Sequence, residues 1–377
     1  MRTLVVWGAG RIGRGFVADI FDVSEFRTVF VDIDKALVDA LNTRKQYTIT
    51  RAERSGITTK TRFGGFSAVH TSQTEELERI FEEPELILDI ALHEPKLPEA
   101  ADMLLPLIAH RAESGALPMD IMMNVNMARP DEYFTKLMCA RLSGNALDYF
   151  KAHVGVTGIF AMCISPLAPD ELKAKDPLAL WNNGWKEQAI SRKVLKCAPP
   201  VLPRLRLTDD IEREETRKLY TLNMAHALLC YLGLPKGLKT SYEAVNDPEL
   251  RAILDGALLE ASMGLEAEFG FDGYEMSAWR EKIVELVQNP YIDDALQRLG
   301  ADTRRKLGPY DRLAGPIRLC KKAGGKPVNL IKALRAGYYY ENPDEGTREV
   351  RAYTDAHGES AAILKYSGFT GAELAEE

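Results

Sequence analysis

A lysine, an asparagine and a histidine, Lys218, Asn223 and His226, fall within nine residues of an otherwise apolar stretch, Glu215-Thr216-Arg217-Lys218-Leu219-Tyr220-Thr221-Leu222-Asn223-Met224-Ala225-His226. At about 100° per residue on an α-helix, Asn223 lies about 140° round from Lys218 and His226 falls between them at about 80°. All three are expected to face one cleft. Oxidation of an alcohol by hydride transfer requires a base to take the hydroxyl proton and donors to steady the oxygen as negative charge develops. Lysine becomes such a base when desolvation or a neighbouring cation lowers its pKa, an asparagine amide is a neutral donor, and a histidine can orient substrate hydroxyls.

A hydride needs an acceptor, and the N-terminus supplies a place for one. Gly8-Ala9-Gly10-Arg11-Ile12-Gly13 follows an apolar run and opens a helical pattern. Gly8 permits the tight turn, Gly10 lets backbone approach a pyrophosphate, Gly13 allows close helix–strand packing, and the helix N-terminus offers free N–H groups to phosphate. Asp32 ends the second β-rich run, where a carboxylate accepts hydrogen bonds from ribose hydroxyls and repels a 2′-phosphate. NAD is therefore the expected cofactor rather than NADP, with Asp34 a competing carboxylate and Lys35 a group that could soften the selectivity. Arg11 and Arg14 are candidates to neutralise phosphate.

These residues need a scaffold. Leu4 to Trp7, the glycine turn, a helix from Ile12 to Phe21, a strand from Thr28 to Ile33 and a helix from Lys35 to Leu41 make a βαβ unit and imply a parallel sheet. The apolar runs at Leu86 to Leu92, Ile121 to Val125 and Val154 to Ile164 read as further strands buried on both faces. From Asp210 onward apolar residues recur at i, i+3, i+4 and i+7, so the C-terminal half is expected to be all α. Asn289-Pro290-Tyr291 and Gly324-Gly325-Lys326-Pro327 mark breaks between its helices. The expected fold is α/β: a Rossmann-type doubly wound domain over residues 1–195 and an α-helical substrate domain over 196–377, with Pro199, Pro200 and Pro203 in the linking stretch.

The 377 residues exceed what one core usually covers, and 46% hydrophobic with 27% charged residues is an ordinary globular balance. A net charge of −7 gives no general attraction to nucleic acid or anionic membrane, so an anionic ligand must be held by local cations. Five scattered cysteines, Cys139, Cys163, Cys197, Cys230 and Cys320, suit neither a disulfide framework nor a zinc cluster. The chain enters a strand at its start and has no apolar run of about 18 residues, so neither a secretory leader nor a membrane span is expected, and a reducing cytoplasm is the expected location.

The Lys218-x4-Asn223-x2-His226 pattern resembles the signature of the polyol-specific long-chain dehydrogenase/reductase family, and the likeness extends over residues 1–340 or so, through Gly8 to Phe16, Phe269-Gly270-Phe271-Asp272, Asn289-Pro290-Tyr291 and Arg305-Lys306-Leu307 with Asp311-Arg312-Leu313. The resemblance implies a metal-free enzyme with Lys218 as acid/base, Asn223 as oxyanion donor and His226 as a substrate-binding residue. It also implies a second asparagine after a Rossmann strand, which Met122-Met123-Asn124-Val125-Asn126-Met127 supplies as Asn126, with Asn124 the alternative. The compact length resembles the phosphate-dependent branch. That implies reversible oxidation of mannitol 1-phosphate to fructose 6-phosphate, with Arg304, Arg305, Lys306 and Arg312 a candidate cluster for the phosphate, since arginine grips it bidentately. A small-molecule partner, no nucleic acid, and a monomer are the expectations that go with it.

Two stretches depart from the family pattern. His93-Glu94-Pro95 stands where a glycine turn is usual after Leu88 to Leu92, and Gly158-Ile159-Phe160-Ala161-Met162-Cys163 replaces an Asp-Arg pair beyond Gly155. They motivate the alternatives of a dehydrogenase for another alditol, ketose or uronate, and of a catalytically silent NAD-binding protein.

Overall fold

The computed structural model describes residues 1–22, 25–115, 117–127, 129–292 and 294–374, which fall into two compact units, Met1–Glu215 and Thr216–Glu377. The first is built on an eight-stranded sheet of order β11-β10-β8-β7-β6-β1-β2-β5. Its strands are β1 (Arg2–Trp7), β2 (Phe26–Asp32), β5 (Phe66–His70), β6 (Leu86–Ile90), β7 (Met119–Met123), β8 (Val154–Phe160), β10 (Gln188–Ser191) and β11 (Leu205–Thr208). From β5 to β8 all pairings are parallel, and β10 joins β8 antiparallel.

The continuous apolar runs have the reason expected of them. Val5, Trp7, Leu88, Ile90 and Ile121 enter the core on one face of the sheet, and Leu4, Val6, Phe30, Ile87 and Met122 the core on the other. Both faces are covered, so neither register of the pleat is polar. β1 is central, with β2 on one side and β6 on the other, which places the topological switch point at its C-terminal end, where Gly8 begins.

A second sheet, of order β4-β3-β9, is formed by β3 (Gln46–Glu53), β4 (Gly56–Phe63) and β9 (Leu180–Asn182). Buried Asp19 accepts from Arg51 at 2.5 Å and from Arg204 at 2.8 Å. Burial pushes its carboxyl up, but the two guanidiniums hold it below the ordinary range. That cluster, with β11 pairing parallel to β10 from Gln188↔Leu205 to Ser191↔Thr208, draws residues beyond the proline stretch into the first unit. The division by contacts accordingly falls at Glu215/Thr216 rather than at 195/196.

The second unit is helical. The helix Pro248–Phe269, capped by Asp247, packs against Ala314–Lys322, Val328–Gly337 and Met224–Gly233. At Gly264 a Cβ would stand 2.6 Å from Leu319 Cβ, so only glycine allows that helix approach. The helices Gly273–Val287 and Ala314–Lys322 end at the Asn289-Pro290 and Gly324-Gly325 breaks. No helix among the described residues is long and apolar enough to cross a membrane.

Candidate active site residues

β1 delivers the chain into the glycine loop with little room to spare on one side and open space on the other. Gly8 has φ 103°, and a Cβ there would lie 2.5 Å from Ala91 O; at Gly13 it would lie 2.2 Å from Gly8 O. At Gly10 a Cβ would meet nothing within 4 Å, and the residue is exposed. The first and third glycines thus serve packing, and the second leaves a surface against which a pyrophosphate fits. Ala9 is buried, while Arg11 and Ile12 are partly exposed at the start of the helix.

Asp32 is tied to this loop. Its Oδ2 accepts from Ala9 N–H at 2.8 Å and its Oδ1 from Asp34 N–H at 2.9 Å, which leaves lone pairs on both oxygens for ribose hydroxyls. Asp34 does something else: it caps the helix Lys35–Arg44, accepting from Ala36 and Leu37 N–H at 2.9 and 3.1 Å. Lys35 lies on Asp39. Arg14 is buried, donating to Ala9 O at 2.6 Å and Leu178 O at 2.9 Å, so it braces the loop from behind instead of presenting charge to a ligand.

Along the same edge, Gly8 abuts Ala91 and Leu92 even though no glycine follows β6, and His93 is an exposed residue leading into the short turn Glu94–Lys96. Asn126 is exposed on the turn after β7, whereas Asn124 points inward and donates to Asp89 Oδ2 at 2.7 Å. Sequence reasoning passed over Asp89, whose position in an apolar strand gives no sign of function. It is fully buried, its Oδ1 has no hydrogen-bond partner, and burial pushes its carboxyl up to about 8 against the opposing hydrogen bond from Asn124. A neutral acid at pH 7 is what such a site demands. The folded chain holds this proton from about pH 4, where the unfolded chain loses it, up to about pH 8, so stability falls as pH rises through that window. Asp89→Asn keeps the shape without the titration. Its thermal midpoint is expected to drop less than the parent's between pH 5 and pH 8, and parallel curves would count against the neutral acid.

The apolar departure on β8 has a structural occupant. A Cβ at Gly158 would lie 2.3 Å from Glu215 Oε1, so the strand is narrow there to admit that carboxylate, one helical turn before Lys218.

In the helical unit, Lys218 ends the helix Ile211–Lys218, Asn223 ends a π-helical turn Leu219–Asn223, and His226 lies in Met224–Gly233. All three are half-buried among buried Arg217, Tyr220, Thr221, Leu222, Met224 and Ala225. The regular 100° spacing does not hold, because Met224 N–H donates to Leu219 O five residues back. One extra residue in the turn brings positions five apart, Lys218 and Asn223, closer in azimuth than an α-helix would.

Burial lowers the His226 imidazole to about 4, Arg298, Arg312 and Lys306 adding to the effect against Asp294. It is a neutral ring at pH 7, able both to donate and to accept. Lys306 and Arg312 are near enough to act on it, and both are buried, at 6% and 4% exposure. Lys306 Nζ donates to Leu299 O at 2.6 Å; burial, then the charges of Arg312 and Arg305, lower it to about 7. Arg312 holds Asp311 at 2.7 Å, and Arg305 holds Asp302 at 2.6 Å. Arg304 departs from the cluster, its side chain 64% exposed on Glu349.

Comparison with known proteins places this architecture. Residues 2–201 match the mannitol dehydrogenase Rossmann domain and residues 210–364 the mannitol dehydrogenase C-terminal domain. The chain is 30% identical over 370 residues to mannitol-1-phosphate 5-dehydrogenase of Bacillus subtilis (strain 168), covering 97% of this chain and 95% of that one. Among solved structures, mannitol 2-dehydrogenase of Pseudomonas fluorescens, in a ternary complex with NAD and D-mannitol, superposes with TM-score 0.79 at 17% identity, covering 99% of this chain and 88% of that one. A substrate-free D-sorbitol dehydrogenase gives TM-score 0.79 at 17% identity, covering 97% and 88%.

Proposed function

The chain belongs to the mannitol dehydrogenase family, and from that premise we propose that this NAD-dependent polyol dehydrogenase interconverts mannitol 1-phosphate and fructose 6-phosphate. The observation that carries the phosphate is the pair of buried basic groups, Lys306 and Arg312, both within electrostatic reach of His226. A polar but uncharged polyol gives no reason to desolvate two positive groups together, whereas a phosphate dianion repays their burial through charge-assisted hydrogen bonds. The 30% identity with the Bacillus enzyme along nearly the whole chain supports the same reading.

The open backbone at Gly10 and the carboxylate of Asp32 would hold the pyrophosphate and ribose of NAD, which when bound would accept the hydride in the oxidative direction. Lys218 as the neutral amine takes the proton of the reacting hydroxyl, and returns it from the ammonium form when a ketose is reduced. Asn223 donates from its amide to the substrate oxygen as charge builds on it, a contribution that grows toward the transition state. Neutral His226 holds a neighbouring hydroxyl, while Lys306 and Arg312, with Arg305 behind them through Asp311, hold the phosphate oxygens. Remote grip on the phosphate then serves to place the reacting carbon, the use of binding energy that raises kcat as well as affinity.

The all-buried β8 with its apolar continuation favours a second reading, a dehydrogenase for another alditol, ketose or uronate. Both are tested by following NADH absorbance with fructose 6-phosphate, fructose and a uronate panel. Turnover at least about a hundredfold more efficient with the phosphate ester is expected, since losing two charge-assisted contacts costs about 3 kcal/mol or more. Equal efficiency with fructose, or turnover of a uronate alone, would sink the phosphate assignment.

A further inference from the structure

The widened turn between Lys218 and Asn223 is fastened by side chains that the proton and hydride chemistry does not use. Trp279 Nε1 donates to Thr221 Oγ1 at 2.9 Å, and the Thr221 hydroxyl donates onward to the backbone carbonyl of Arg217 at 2.6 Å. Thr221 is 0% exposed and sits in the middle of the π turn. A threonine hydroxyl on the carbonyl four residues back competes with the helical ladder and bends it, and the ladder here is re-phased a few residues on, where Met224 N–H reaches Leu219 O. The residue whose carbonyl is held is fixed at its other end too: the Arg217 guanidinium lies 4.0 Å from the Trp279 ring centroid and 4.7 Å from that of Phe271, and pairs with Glu275. Trp279 therefore holds the residue just before Lys218 twice, once by its ring face and once through Thr221.

A π turn inserts a residue at the expense of regular geometry, and such turns persist where surrounding contacts enforce them. Trp279 and Glu275 stand on one neighbouring helix, Gly273–Val287, and Phe271 just before it, and together they hold Arg217 and Thr221, one on either side of Lys218 in sequence. We propose that Thr221 and Trp279 are positioning residues whose hydrogen-bond chain sets the wide turn and thereby the register of Lys218 against Asn223. The inference rests on the reading of Lys218 as the acid/base. The alternative is a core contact that contributes only to stability.

The two are separated by substitutions that each remove one hydrogen-bonding group. Trp279→Phe retains an aromatic face for Arg217 without the N–H, Thr221→Val removes the hydroxyl, and Thr221→Ser keeps it. Misplacing a catalytic group by about 1 Å can cost up to a hundredfold in rate. Trp279→Phe and Thr221→Val are each expected to lower kcat about tenfold or more, with KM and NAD affinity within about twofold of the parent. The double variant is expected to be no slower than the worse single one, because both break one chain, and Thr221→Ser is expected to recover most of the rate. Parental kcat in Trp279→Phe, or additive losses in the pair, would overturn the proposal. Should Thr221→Val not fold, Trp279→Phe and Thr221→Ser still decide it. Lys218→Ala measured alongside keeps the two claims apart: if it collapses while Trp279→Phe is unaffected, only the positioning role falls, and if it turns over normally, the lysine reading falls first.

Discussion

Lys218→Ala is expected to lower kcat by about 10²–10⁴-fold in both directions, the range that a positioned acid/base contributes, with NAD affinity unchanged. Lys218 lies at the end of Ile211–Lys218 in the helical unit, whereas the glycine loop and Asp32 belong to the first, so truncating it removes no group from the nucleotide-binding loop. Lys218→Arg supplies the discriminating control. Guanidinium keeps the positive charge and reaches as far, but it does not give up its proton in a protein. If Lys218 moves a proton, the arginine variant should be nearly as slow as alanine; if it only supplies charge to an oxyanion, arginine should restore much of the rate. A parental kcat in either variant, with NAD binding intact, would remove lysine catalysis from the account. The effect should lie in kcat more than in KM, because the proton is partly transferred only in the transition state.

How much of this could be read from the chain depended on whether the determining contact was local. The glycine loop was legible because backbone sterics at Gly8 and Gly13 act within one strand–turn–helix, and the apolar strands were legible because burial on both faces leaves a continuous run. The helical half announced itself through period. β3 and β4 did not, since Gln46–Glu53 and Gly56–Phe63 mix threonines and charges with few apolar residues, and β9, the other partner of β3, lies more than a hundred residues away. β11 was hidden by the prolines before it, which mimic a linker although the strand after them completes the sheet. At the candidate site, sequence gave residue types but not phase. Regular helical spacing separates Lys218 from Asn223 widely, and the wide turn that narrows the angle is bonded at Thr221 by Trp279, 61 positions beyond Lys218. For the same reason Arg14, a plausible phosphate ligand by position, turns out to be buried behind its own loop, and Asp34 is a helix cap while Asp32 faces the glycines.

Lys306→Met should change stability and substrate choice in opposite directions. Burial lowers Lys306 to about 7, so carrying this amine in the folded state costs on the order of a few kcal/mol at neutral pH. Methionine fills the space without a charge to desolvate, and exchanges of this kind are often stabilising. The unfolded chain keeps the proton up to about pH 10.4 and the folded chain only to about 7, so between those values the unfolded state binds more protons and the parent gains stability as pH rises. The variant lacks that slope. Its higher thermal midpoint is expected at and below pH 7, shrinking toward pH 10. Added fructose 6-phosphate should reverse the comparison at pH 7, because the ester binds the folded parent, restores the charge on Lys306 and stabilises it by mass action, while the variant responds weakly. In kinetics, kcat/KM for the phosphate ester should fall about tenfold to a hundredfold, the worth of one charge-assisted hydrogen bond, and that for unphosphorylated fructose should barely move. A variant that gains stability but keeps its preference for the ester would leave the buried lysine a structural cost with no ligand to account for it, and the phosphate would then have to be assigned to other groups.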